Sequence, residues 1–182
     1  MSTTMKAVNT TLCGERADLH RALANARHFL RFTAQNLSDE QAATRATVSE
    51  LCVGGLIKHV SAVELQWQQF MIRGKAAMDW DGVDFYNMPA EALQALKAEF
   101  SMQPGETLAG LLEKYAHIGE ETDALLAEID LDTVHELPRA PWFVDTHWSV
   151  RRTLLHIIGE TTQHAGHADI IREALDGQKT MG

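Results

Sequence analysis

Apolar residues recur three and four positions apart in four long stretches of this chain, which is the period of an amphipathic helix. Strand-like alternation is nearly absent. The first stretch runs from about Arg16 to Gln35 and puts Leu19, Leu23, Ala26 and Leu30 on one face. Asn36, Leu37 and Ser38 break it, and Ser38 can cap a short turn over Asp39 to Ala43. The second stretch runs from Val48 to Arg73. Thr47 and Glu50 have the spacing of a capping box at its start, and Gly74 is placed to end it. Gly54 and Gly55 lie inside, each costing about 1 kcal/mol of helix propensity against alanine. Either the pair admits a close neighbour, or the helix begins later, near Gly55.

Lys75 to Met88 reads as a loop carrying Trp80, Phe85 and Tyr86, and Pro89 then opens a short helix that ends near Ser101. The third long stretch covers Thr107 to Ile129. Asp130 to Trp148 follows, with Pro138 and Pro141, and connections of that length in a compact domain are often functional. The last stretch covers Val150 to Leu175, with Ser149 as its N-cap and Gly177 closing it. The expected class is all-α: a four-helix bundle with long connections between helices two and three and between three and four. One domain is expected over 1–182, with 1–15 as a loose N-terminal arm. The spacing leaves the helix order open.

Charge and motif content exclude several functions. The net charge is -9, and the densest basic spot is Arg151-Arg152 with Arg139 nearby. That is too little to neutralise a nucleic-acid backbone, so no nucleic-acid partner is expected. No apolar run approaches the ~20 residues of a membrane span. The polar, Thr-rich start lacks the pattern of a signal peptide, so the cytoplasm is the expected compartment. Cys13 and Cys52 make no disulfide framework and no CxxC pair, and Cys52 reads as a small core residue. P-loop, GxGxxG, GxSxG and HExxH patterns are missing. No histidine has a glutamate three residues before it, as di-iron carboxylate bundles require.

What stands out is one face of the last helix. At ~100° per residue, with His156 at zero, His167 falls near 20°, Glu160 near 40° and His164 near 80°. Glu160 and His164 are one turn apart on the same side, which suits two helix-borne ligands to one ion. A third ligand has to come from another helix. His59 borders the apolar arc of Cys52, Leu56, Val60, Val63, Trp67 and Phe70 and is the best candidate. His20 and His28 on the first helix and His117 on the third remain rivals, although His20 and His28 lie two turns apart and do not readily share an ion.

Two segments carry a family resemblance: Gly55-Leu-Ile-Lys-His-Val-Ser-Ala-Val-Glu64 and Leu154-Leu-His-Ile-Ile-Gly-Glu-Thr-Thr-Gln-His-Ala-Gly-His-Ala-Asp169. With them the chain, from about Arg16 to Gly177, resembles the DinB-like (YfiT-like) superfamily of metal-binding four-helix proteins. That family takes one ligand from the second helix and two, four residues apart, from the fourth. Matched residue by residue, these are His59, Glu160 and His164. Many members have histidine at the Glu160 position. The branch resembling the N-terminal domain of mycothiol-dependent maleylpyruvate isomerase has glutamate there. That isomerase carries a further C-terminal domain outside the resemblance, so isomerisation of maleylpyruvate is not expected.

Two neutral imidazoles and one carboxylate suit zinc or nickel, with a position left open for chemistry. The resemblance implies a transferase that uses a low-molecular-weight thiol, of the mycothiol or bacillithiol type, on a small electrophilic substrate. A metal-dependent hydrolase and a non-enzymatic metal-binding stress-response protein are the alternatives. His167 is expected to complete the ligand set, support a ligand or act as a base. Trp142, Arg151 and Arg152 are candidate substrate-binding residues. A homodimer fits the family, and no membrane partner is expected.

Overall fold

In a computed structural model of the chain, residues 12–78, 80 and 82–180 are described. The helices are α1 (Gly14–Thr33), α2 (Asp39–Ala43), α3 (Val53–Arg73), α4 (Ala90–Glu99), α5 (Leu108–Glu128) and α6 (Val150–Asp176). A 3-10 turn over Gly74–Ala77 follows α3, and two short strands, β1 (Val134–Glu136) and β2 (His147–Ser149), precede α6. The described chain is therefore all-α apart from one small hairpin. Side-chain hydroxyl caps start three of the helices, at Ser38 and Ser149 as expected and at Thr107 besides. Ser38 and Gln41 form a reciprocal box on α2, Thr107 accepts from the Gly110 N–H, and Ser149 accepts from the Arg152 N–H.

Three expectations change. The expected loose arm over 1–15 lies largely outside the described residues, but Gly14 and Glu15 already belong to α1. The Thr47–Glu50 capping box does not form, and α3 begins at Val53 with Cys52 as its N-cap. Upstream, Thr47 Oγ1 accepts from the Ser49 N–H and Ser49 Oγ from the Leu51 N–H; such local turns compete with helix. The long connection before α6 is a hairpin, pairing Val134 with Ser149 and Glu136 with His147.

Side-chain links between the long helices settle the topology. Glu15 with Arg151 at one end, and the Thr33 and Gln35 carbonyls with Arg172 at the other, lay α1 and α6 side by side in the same direction. His59 beside His164 and Trp67 beside His156 make α3 antiparallel to α6. Val53 and Leu56 share a core with Leu108 and Leu111, while Phe70 and Met71 share one with Leu126, so α3 and α5 run together. The order around the bundle is α1, α6, α3, α5. Parallel neighbours need long returns. The stretch between α3 and α5 therefore runs back along the bundle and delivers the end of α4 to the start of α3.

A belt of buried polar residues divides the core into two apolar clusters. Arg27 of α1, Glu64 of α3, Thr122 of α5 and Thr161 of α6 occupy it, each between apolar residues of its own helix. Arg27 Nε donates to Glu64 Oε2 at 3.1 Å, and a second guanidinium nitrogen donates to Oε1. Its third arm reaches Asp123 Oδ1 at 2.8 Å. Burial opposes the guanidinium charge, but Glu64 and Asp123 outweigh it and raise the Arg27 pKa.

Candidate metal centre

The seam between α3 and α6 brings three donors together at the level of this belt. His59, Glu160 and His164 each offer a ligand atom within 4.8 Å of the others. His164 Nε2 lies 3.6 Å from Glu160 Oε2. The His59 and His164 rings meet nearly edge to face, with centroids 4.9 Å apart at 81°. Of the alternatives for the third donor, His20 pairs with Asp123, and exposed His117 pairs with Glu121 on its own helix. His28 lies against Phe29 and Phe32.

Local sequence explains how His59 is held. A Cβ on Gly55 would overlap the Phe100 carbonyl, and one on Gly54 would overlap the Met102 sulfur. The glycine pair thus admits the chain leaving α4 directly onto α3. Phe100 then stacks on His59 at 3.9 Å and 26°. Lys58 ties the same segment down through the Ser101 carbonyl at 3.4 Å and Glu106 at 2.9 Å. Phe100 gave no signal in the sequence, because its place depends on the return path between α3 and α5.

The electrostatics favour ligands. Burial, reinforced by His164 and opposed by Glu160, pushes the His59 pKa down to about 4, so the ring is neutral near pH 7. His59 Nδ1 is buried without a hydrogen-bond partner among the described residues. Such an orphan is costly unless something outside the fold satisfies it. The Glu160 carboxyl is held below its usual range chiefly by His164, against the push of burial. A neutral unpartnered nitrogen, a second imidazole and an ionised carboxylate fit a divalent ion of the zinc class. Ligands of a tetrahedral ion stand about 3.3 Å apart, within side-chain reach of the separations here.

Two more histidines flank the triad. His167 Nδ1 lies 3.4 Å from His164 Nδ1. His156 Nε2 lies 3.9 Å from Glu160 Oε1, and its ring sits edge-on to Trp67 at 4.8 Å and 5.0 Å from Trp148. Rings continue outward from Trp148 through Phe143 to Trp80 and Trp142, which is 55% exposed. Arg152 lies over the Trp148 ring at 4.3 Å. Arg151 is turned to Glu15 and Asp132, which leaves Trp142 and Arg152 on the aromatic wall and Arg151 apart from it.

A cleft of about 510 Å³ lies on the opposite seam, between α1 and α5. The guanidinium of Arg27 lines it, already satisfied by Glu64 and Asp123. The chemistry favours the triad over this hollow.

Comparison with known proteins agrees with this fold. A sequence model of the family described as mycothiol-S-transferase matches residues 18–177. No curated protein matches the chain. Among solved structures, a conserved protein from Enterococcus faecalis is similar at a TM-score of 0.65 and 16% identity, covering 92% of this chain and 100% of that one. At that identity the likeness concerns the fold alone. Among the described residues no helix is long and apolar enough to cross a membrane.

Proposed function

The chain belongs to the mycothiol-S-transferase family, and on that premise we propose that it joins a low-molecular-weight thiol of the mycothiol type to a small electrophile at a divalent metal centre held by His59, Glu160 and His164. The observation that carries this reading is the meeting of those donors, from two helices, within 4.8 Å. A divalent ion bound there supplies Lewis acidity, lowering the pKa of a thiol so that thiolate is abundant near neutral pH.

The residues have separate tasks. Burial keeps His59 neutral, and Phe100 fixes its ring plane. His164 faces Glu160 with Nε2 and His167 with Nδ1, so it would offer Nε2 to the ion while Nδ1 stays with His167. Glu160 contributes the anionic ligand. Trp148, Phe143 and Trp142 form an apolar wall for the electrophile and exclude water from one side, with Arg152 as its cation.

Elemental analysis of wild type beside His59→Ala and His164→Ala tests the reading. The wild type is expected to hold about one zinc-class ion per chain, and both variants to lose it. Full occupancy in both variants sinks the site. In a conjugation assay with an aromatic electrophile, product is expected only when the thiol is supplied. Turnover at the same rate without thiol would point to hydrolysis by the same centre.

A further inference from the structure

We propose that His156 is a positioning residue for Glu160, and that the hairpin before α6 acts on the metal centre through it. The inference rests on the proposed ligand set and adds a residue that set does not contain. The two oxygens of Glu160 face different imidazoles. Oε2 lies 3.6 Å from His164 Nε2, and Oε1 lies 3.9 Å from His156 Nε2. A glutamate side chain has three rotatable bonds, and a ligand must be held in one setting before the ion arrives. His164 constrains one end of the carboxylate. His156, one turn earlier on α6, is placed to hold the other.

His156 is itself held from outside the helix. Its side chain is 23% exposed and sits between Trp67 of α3 and Trp148 of β2. Trp148 is held in turn: its Nε1–H donates to Asp145 Oδ2 at 2.9 Å and Arg152 lies over its ring. The hairpin is in turn locked to the end of α3, where His135 Nε2 meets the Met71 carbonyl at 3.0 Å. A continuous path thus leads from the hairpin through Trp148 and His156 to Glu160. It parallels the contact between His167 and His164, so both α6 ligands have a histidine behind them. Partners of this kind orient ligands and commonly carry 10–100-fold in metal affinity, roughly, without touching the ion.

Cobalt(II) titration, followed by its visible absorption, is the test, with thermal unfolding of the metal-free proteins beside it. His156→Ala is expected to weaken cobalt binding by about 10–100-fold and to change the absorption band. His156→Leu fills the slot between the tryptophans without a nitrogen. It should fold as stably as wild type and bind as weakly as the alanine variant. His156→Gln restores an N–H at similar reach and should recover most of the affinity. Wild-type affinity and an unchanged band in His156→Leu, while His59→Ala abolishes binding, would overturn the positioning role and leave the ligand set intact. Cobalt binding to His59→Ala as tight as to wild type would overturn both.

Discussion

Glu64 and Glu160 are carboxylates of neighbouring helices at the same level of one bundle, and they have opposite surroundings. Glu64 is 0% exposed, and both its oxygens are taken by the fork of Arg27. That guanidinium spends its remaining arm on Asp123. The cluster is closed: every arm of the guanidinium meets a carboxylate oxygen. Glu160 stands among imidazoles at 3.6 and 3.9 Å, and the His59 nitrogen beside it has no partner among the described residues. Here donors exceed what the fold consumes. The contrast separates a polar cluster that stabilises a structure from one that awaits a ligand, although both are charged and carried on helices.

The sharpest way to break that contrast is to open the closed cluster. Removing one partner of a buried ion pair strands the other charge and costs about 3–5 kcal/mol. Glu64→Leu is therefore expected to lose about that much stability in denaturant unfolding. Combining it with Arg27→Met should recover most of the loss, since an apolar replacement of both partners is often neutral or better. His164→Ala, by contrast, should leave metal-free stability within about 1 kcal/mol of wild type, because the Glu160 carboxylate it leaves is partly exposed to solvent rather than stranded in the core. Comparable losses in Glu64→Leu and His164→Ala would erase the distinction.

The two clusters were also unequally legible in the sequence. The Glu160–His164 pair followed from a spacing of four on a helix whose apolar arc was clear. His59 entered from its place beside an apolar arc as the best of several donors, and the family resemblance settled it, since the choice among donors on three helices depends on which helix lies beside α6. Arg27 and Glu64 went unremarked, each being a single charge inside an apolar period. The long helices were readable to within a few residues because one face of each is buried. The start of α3 was not, because Thr47, Ser49 and Cys52 cap and turn the backbone locally. The hairpin escaped as well: strands of three residues are too short to show alternation.

Two helix glycines sharpen the comparison at intermediate cost. Gly55 lies under the Phe100 backbone, which cannot step aside as a side chain can. Gly55→Ala gains about 1 kcal/mol of helix propensity but overpacks a rigid contact, for a net loss of about 1–3 kcal/mol. It should also weaken metal binding, since Phe100 must leave His59. A Cβ on Gly119 would meet the Arg27 guanidinium at 3.4 Å, an ordinary contact, so Gly119→Ala should be neutral or slightly stabilising. Thermal unfolding and cobalt affinity of the two variants check this. Equal effects would mean that the glycine pair does not set the triad's packing.

Acid provides the smallest and most selective probe. Burial pushes the His59 pKa to about 4, while an unfolded imidazole titrates near ~6.5. Above that range neither state holds the proton, and stability is flat. As pH falls through it, the unfolded chain takes up a proton that the folded site refuses, and stability declines until about pH 4. His156, also pushed down by burial, acts in the same direction. Glu160 adds to the decline at lower pH, where its depressed carboxyl finally protonates. The His59 ring is only partly buried, so solvent screening trims its share to about 1–2 kcal/mol. Denaturant unfolding of the metal-free protein at pH 7 and pH 4.5 should show that loss, and His59→Phe, which keeps the stack on Phe100, should remove much of it. Zinc should steepen the dependence, because protons and the ion compete for the same nitrogens. If wild type and His59→Phe decline in parallel, with or without zinc, the orphaned nitrogen is not the group that sets this side of the belt apart from the closed ion pair.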